Sequence, residues 1–193
     1  MSNRARTAAF TAAIALGVWL LASTVSKSAD DKGSKTGPYN DDIVKLADGL
    51  GKATDIASKA DLEDVMQAFK PRSKGGLGIG PKPDAIKPDG IEQKFLAVGN
   101  SKKALDRAEM AKSGAALAKA ADATKAIGEI TLLYADKAGK KNPTKWKQYA
   151  TDMTKSADEL AKAIRKGDDG ALIKKAMMKV NDSCTNCHGD FRD

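Results

Sequence analysis

An apolar stripe with the spacing of an α-helix begins near Asn40 and runs to Pro71. Its first members recur every three or four residues, as on one face of a helix: Ile43, Leu46, Leu50, Ala53 and Ala57. A second set continues out of phase with the first: Leu62, Val65, Met66 and Phe69. Because the phase slips near Ala60 and Asp61, we expect a helical element that is kinked or broken there.

Helical patterns return after residue 90. A short helix is predicted over residues 91–98, and three long amphipathic stretches follow it. Residues suited to begin or end these helices are Ser101, Asn142 with Pro143, Gly167, and Asp168 or Asp169. Four main helical patterns joined by mostly short turns predict an all-α fold, an antiparallel four-helix bundle.

Residues 70–90 interrupt this regular pattern. The stretch contains four of the six prolines of the chain and five of its glycines. Its Gly-Leu-Gly-Ile-Gly run lacks the spacing of a nucleotide-binding loop and follows no predicted strand. Loops of this length in compact domains tend to be functional or disordered.

Composition agrees with a helical protein and narrows the choice of partners. The 193 residues are enough for one domain, and the net charge is +8, from 33 Lys and Arg against 25 Asp and Glu. The basic residues alternate with acidic ones, as on a solvated helix surface, and such a surface attracts an acidic redox partner or anionic lipid. Since few aromatic residues accompany the charge, we expect no nucleic-acid binding.

The N-terminal segment has the layout of an export signal. Arg4 and Arg6 precede an uncharged run over residues 7–26 with an apolar middle. The run is also long enough for an uncleaved membrane anchor. We therefore predict a signal peptide or N-terminal anchor over residues 1–29, a linker over 30–39 and the bundle over 40–193. The body of the protein is expected in the periplasm, with anchoring to the inner membrane as the alternative.

The chemistry of the chain is concentrated in the motif Cys184-Thr185-Asn186-Cys187-His188. C-x-x-C-H is the pattern of covalent haem attachment. On a helix, the two cysteines and the histidine lie within an arc of roughly 100°, so two thiols can bind the porphyrin vinyl groups while the imidazole reaches the iron. The cysteines continue the apolar stripe of Ile173, Met177 and Val180, which places one haem c on the last helix, facing the bundle interior.

Other interpretations of these cysteines are weaker. A thioredoxin-type dithiol belongs to a βαβ setting, and no strand is predicted here. A structural zinc site needs about four ligands, whereas the chain has two cysteines and one histidine. A disulfide between Cys184 and Cys187 would leave His188 without a role.

A four-helix pattern with C-x-x-C-H on its last helix, followed by Phe191-Arg192-Asp193, resembles the cytochrome c′ group of c-type cytochromes. The resemblance is specific only over the last fifty residues. It implies an up-and-down bundle, His188 as the fifth iron ligand, and Arg192 close to the haem. The long loop at 70–90 and the slip in the first helix depart from the pattern of the group.

The sixth iron position has no second histidine to fill it. In the cytochrome c′ group this position faces the first helix, and some members place a methionine there while gas-binding members place an apolar residue. Met66 is the methionine of the first predicted helix and lies in its apolar stripe; it is either the distal ligand or core filler. As filler, it would leave Leu62, Val65 or Phe69 as the distal lid. The other methionines are poorer candidates, and Met153 is predicted to lie in the bundle core.

The haem propionates would need basic partners. Candidates are Arg72 and Lys74 at the start of the long loop and Arg192 after the motif. For the two loop residues a solvated position is an equal alternative. The length and glycine content of the loop suggest that it covers a haem edge.

Three classes of function compete for such a protein. An electron-transfer cytochrome needs one haem, an exposed edge and a redox partner protein. A binder of nitric oxide or carbon monoxide needs a five-coordinate iron in an apolar pocket. A peroxidase needs a polar distal acid or base, usually histidine, and none remains, so we expect no enzyme. The resemblance also leaves open whether the protein forms a homodimer.

Overall fold

The computed structural model describes residues 36–192, and this part of the chain contains α-helices and no strand. The helices are α1 (Asn40–Ala47), α2 (Ala53–Ala57), α3 (Leu62–Gln67), α4 (Ile91–Gly99), α5 (Arg107–Leu132), α6 (Pro143–Lys166) and α7 (Gly170–Phe191). The all-α prediction is confirmed. The predicted export segment and most of the linker lie outside the described residues. Among helices of residues 36–192, none is both long and apolar enough to span a membrane.

The three long helices form the centre of the bundle. α5 packs along α6, and α6 packs along α7. Since consecutive helices that are joined by short connections and pack together run antiparallel, this part has the up-and-down arrangement. Fully buried aliphatic side chains fill the centre: Leu117, Ile127, Ile130, Leu160, Ile173 and Val180.

The first predicted helix is divided into three short helices, α1 to α3, which pack on α5. The break expected near Ala60 and Asp61 is present, because Asp61 precedes α3. A second break between α1 and α2 was not predicted. There Gly49 has a φ of 76°, a left-handed conformation that glycine adopts without steric cost and that ends a helix.

Most helix ends agree with their predicted capping residues. The Asn142 side chain accepts a hydrogen bond from the Lys145 N–H at 3.0 Å, Gly167 ends α6 with a φ of 75°, and Asp169 caps α7. The prediction for Ser101 was wrong. α5 begins after Asp106, which forms a reciprocal capping box with Glu109, while the Ser101 hydroxyl donates to Val98 O.

The short helix predicted over residues 91–98 is present as α4. It packs against α7, the helix of the cysteine motif. Ile91, Phe95 and Val98 are the buried aliphatic and aromatic residues of α4. The 70–90 connection therefore leads into α4, a helix that packs against the helix of the cysteine motif.

Candidate haem site at the C-terminal end of α7

Helix α7 is continuous through the whole motif and ends at Phe191. Cys184 and Cys187 are half-buried, whereas His188 is exposed at the wall of a cavity. Val180 and Ser183, one turn earlier, are buried. The helical register thus places both thiols and the imidazole along one cavity wall, as the i, i+3, i+4 spacing predicts.

The cavity beside the motif has a volume of about 460 Å³, within the range of ligand-binding pockets. Its walls come mainly from α3, α4, α6 and α7, with Thr131 of α5. The lining is mainly apolar and aromatic, and includes Leu62, Met66, Phe69, Ile91, Phe95, Trp146, Tyr149, Met153, Val180 and Phe191. Exposed charged residues stand at the rim: Glu63, Lys70, Glu92 and Arg192. The apolar slot suits a flat porphyrin, and the basic rim residues Lys70 and Arg192 suit the two carboxylates at its edge.

The two thiols are not joined to each other. Burial raises the pKa of the Cys184 thiol to about 11, with the nearby Glu92 carboxylate adding to the shift. Burial likewise raises the pKa of the Cys187 thiol. Both sulfurs are therefore uncharged at neutral pH, and a neutral thioether in the same position would keep the apolar character of the wall.

A hydrogen bond and an ion pair connect the last turn of α7 to the start of α6. The Tyr149 hydroxyl donates to Asp190 Oδ2 at 2.5 Å, and Lys145 Nζ lies 2.7 Å from the same oxygen. The Lys145 ammonium and the Tyr149 hydroxyl together hold the pKa of Asp190 below its usual value. The sequence analysis missed these anchors, because nothing in the spacing along the chain pairs residue 149 with residue 190.

The structure places Met66 on the cavity wall, half-buried on α3 beside Leu62 and Phe69. Val65, a predicted lid residue, is fully buried and lies outside the lining. Met153 of α6 is buried and also lines the cavity, so its assignment to the core alone was incomplete. Two thioether side chains therefore line this cavity.

Of the three predicted propionate partners, one lines the cavity and two do not. Arg192 is exposed, follows α7 and lines the cavity. Arg72 does not line it; its guanidinium is bound to Asp89 and to carbonyl groups of the 70–90 loop. Lys74 also lies outside the lining. Lys70, which was not predicted, stands at the rim where the loop begins.

The loop was expected to cover a haem edge. Residues 71–90 contribute nothing to the cavity lining, while the residues on either side, Lys70 and Ile91, do. The loop therefore connects two lining residues without itself forming part of the cavity wall.

The residues of the cavity fit haem c. Two uncharged thiols stand at C-x-x-C spacing, an imidazole follows directly, and an apolar slot adjoins them. Cys184 and Cys187 would hold the porphyrin covalently, His188 would bind its iron from the α7 side, and Lys70 and Arg192 would meet its acidic edge. Such a set of residues defines a c-type haem protein.

The comparison with known families agrees with this class. The family model described as Cytochrome C′ matches residues 134–192, the span from the turn before α6 to the end of α7. The predicted resemblance is confirmed over that segment, and so is the cofactor, haem c bound covalently through cysteines. No curated protein and no solved structure matches the chain.

Proposed function

We propose that the protein is a monohaem electron-transfer cytochrome that acts outside the cytoplasm. The observation that carries the proposal is the position of Met66 on the wall of the cavity that His188 also lines. A histidine and a methionine are the axial ligands of many electron-transfer cytochromes, in which methionine raises the reduction potential. When bound, haem supplies a metal that takes up and releases one electron.

The lining offers little that would support chemistry on a substrate. The chain has one histidine, which the motif uses, and the rim acids Glu63 and Glu92 are exposed. Haem peroxidase chemistry needs a positioned acid or base beside the reacting ligand. The apolar and aromatic wall therefore favours a protein that transfers electrons without enzymatic turnover.

We further propose an acidic redox partner protein. Lys137, Lys140 and Lys147 are exposed in and after the turn before α6. This turn lies against the cavity, because Ala138 and Trp146 belong to its lining. Positive charge beside a redox site accelerates encounter with an acidic partner, and the rate falls as salt screens the charge.

The location outside the cytoplasm rests on the chain before residue 30. Export, with cleavage or with anchoring to the inner membrane, is the proposal that the basic and apolar N-terminal pattern supports. Covalent attachment of haem to C-x-x-C-H takes place outside the bacterial cytoplasm, which fits the same proposal. Intact-mass measurement of mature protein from its native host distinguishes cleavage from retention.

Binding of nitric oxide or carbon monoxide is the second candidate function. Leu62, Phe69 and Phe95 line the cavity together with Met66. If Met66 acts only as packing, these side chains provide an apolar pocket beside a five-coordinate iron. The two functions differ in the coordination of the metal.

Absorption spectra of the ferric and ferrous protein, recorded with and without carbon monoxide, test the proposal. Electron transfer through a six-coordinate haem predicts low-spin spectra in both oxidation states, and a ferrous spectrum that carbon monoxide changes slowly or not at all. A high-spin ferrous spectrum that shifts at once on addition of carbon monoxide would contradict it and support gas binding.

A further inference from the structure

The 70–90 loop is built around one partly buried ion pair. Arg72 Nη1 lies 2.5 Å from Asp89 Oδ1, and the two side chains are only 21% and 10% exposed. Asp89 Oδ1 also accepts a hydrogen bond from the Ile79 N–H at 3.1 Å. The second loop pair, Lys87 with Asp84, is longer at 3.8 Å and more than 70% exposed on both sides.

The Arg72 guanidinium organises the backbone around it. Nη1 donates to Ile79 O at 3.3 Å and to Lys82 O at 3.2 Å, and Nη2 donates to Gly80 O at 2.5 Å. Gly78 has a φ of 66°, and a Cβ there would lie 2.5 Å from Arg72 Cγ. The backbone of the loop thus wraps around the arginine side chain at a distance that only glycine permits.

The pair joins the two ends of the loop. Arg72 follows α3 by a few residues, and Asp89 precedes α4 by one glycine. At the base of the loop, where its two ends meet, the Leu77 N–H donates to Ala68 O at 2.9 Å. Gly90 approaches Pro71 so closely that a Cβ would lie 3.1 Å from its ring. These contacts hold the end of α3 against the start of α4.

Both helices contribute walls to the haem cavity. α3 and the residues after it contribute Met66 and Phe69, and α4 contributes Ile91 and Phe95. Apart from the loop, α3 packs on α5 and α4 packs on α7. The relative position of the two walls therefore depends on the connection between them.

We propose that Arg72 and Asp89 are positioning residues for the haem site: their partly buried pair sets the separation of the α3 and α4 walls and thereby the closure of the cavity around haem. The proposal rests on haem occupying this cavity, as the proposed function does, but not on electron transfer. Neither residue touches the cavity. Removing either member leaves the other, partly buried charge without its ion-pair partner, which is unfavourable, so we expect the loop base to open.

The test compares matched variants of the full chain loaded with haem. Asp89→Asn removes the carboxylate charge of the pair, and Arg72→Lys keeps the positive charge but removes the planar fork. Asp84→Asn removes a carboxylate of the exposed pair in the same loop and is the control for loss of a loop charge alone. Leu117→Ala, a fully buried α5 residue outside the cavity lining, is the control for lowered stability alone. The readouts are the ferric spectrum, the reduction potential, and the rate of carbon monoxide association after rapid mixing, all well below the unfolding temperature.

We expect Asp89→Asn and Arg72→Lys to raise the association rate severalfold, because a less closed cavity admits the gas more readily, and to change the potential. Asp84→Asn and Leu117→Ala should keep wild-type values. Wild-type rates and potential in both pair variants would overturn the proposal, and so would an equal change in Leu117→Ala. If the wild type itself binds carbon monoxide at once, electron transfer is contradicted, and the comparison of Asp89→Asn with Asp84→Asn still decides the positioning role.

Discussion

The ring of Phe191 packs edge-on against the indole of Trp146, with ring centroids 5.1 Å apart and planes at 83°. Phe191 follows His188 by three residues on α7, and Trp146 lies in the first turn of α6. Tyr149 meets the same phenyl ring at 6.3 Å, and the Trp146 indole Nε1–H donates to Thr131 O at 2.8 Å. The contact between Phe191 and Trp146 therefore anchors the last turn of α7, which carries the His188 imidazole, to α6.

Replacing Phe191 with alanine should lower stability and loosen the end of α7. Loss of the edge-on ring contacts and of a half-buried phenyl group should cost about 2 kcal/mol. Chemical denaturation of the haem-loaded protein measures this cost. Leu172→Ala on the same helix, where the side chain is 52% exposed, should cost much less. Equal losses for the two variants would show that the ring contact has no special role.

Met66→Ala should convert a low-spin ferric spectrum to a high-spin one and lower the reduction potential. The reason is that a thioether ligand favours the ferrous state. Met153→Ala is the matched control, since Met153 lines the same cavity from α6. A spectrum that changes with Met153→Ala and not with Met66→Ala would show that Met153 is the iron ligand and that the assignment to Met66 is wrong.

Arg192→Gln should lower the reduction potential. A positive charge at the cavity rim disfavours the more positive ferric state, and an exposed charge is worth at most about 1 kcal/mol, or about 40 mV for one electron. The shift should shrink at high salt because the charge is exposed. Lys166→Gln, at the opposite end of α6, should leave the potential unchanged. Equal shifts in both variants would indicate an effect of net charge alone.

Asp158→Asn should destabilise the protein at neutral pH but not in acid. Hydrogen bonds from Lys162 and Lys125 hold the pKa of Asp158 below its ordinary value of 3.8. A depressed folded-state pKa contributes stability above the unfolded-state pKa and loses it as pH falls through the folded-state value. Since the carboxylate is 30% exposed, the effect at pH 7 should be under about 1 kcal/mol.

Thermal unfolding at pH 7 and below pH 3 measures this difference. Asp152→Asn, an exposed residue of the same helix, should have no such pH-dependent effect. A stability loss from Asp158→Asn that stayed constant down to pH 2 would contradict the paired-carboxylate account.

The sequence was informative where local chemistry decides the structure. Asn142 and Asp169 begin helices and Gly167 ends one through their own backbone and side-chain preferences, so their roles were predictable. The motif was predictable for the same reason, since C-x-x-C-H on a helix directs Cys184 and Cys187 to one side whatever surrounds them.

Long-range contacts were not predictable from the chain alone. The Arg72–Asp89 pair spans seventeen residues, and no periodicity relates its members. Likewise, Met153 keeps helical core spacing, yet it faces a cavity because α3 and α4 stand apart from α6 there. The turn at Gly49 was missed because the apolar pattern runs on past it in phase.

The most direct test of the account is intact mass with haem quantification on protein made in a host competent in cytochrome maturation. We predict one covalently bound haem per wild-type chain, and no covalent haem in the Cys184→Ala, Cys187→Ala double variant. Colourless wild-type protein with both thiols still open to alkylation would contradict the account.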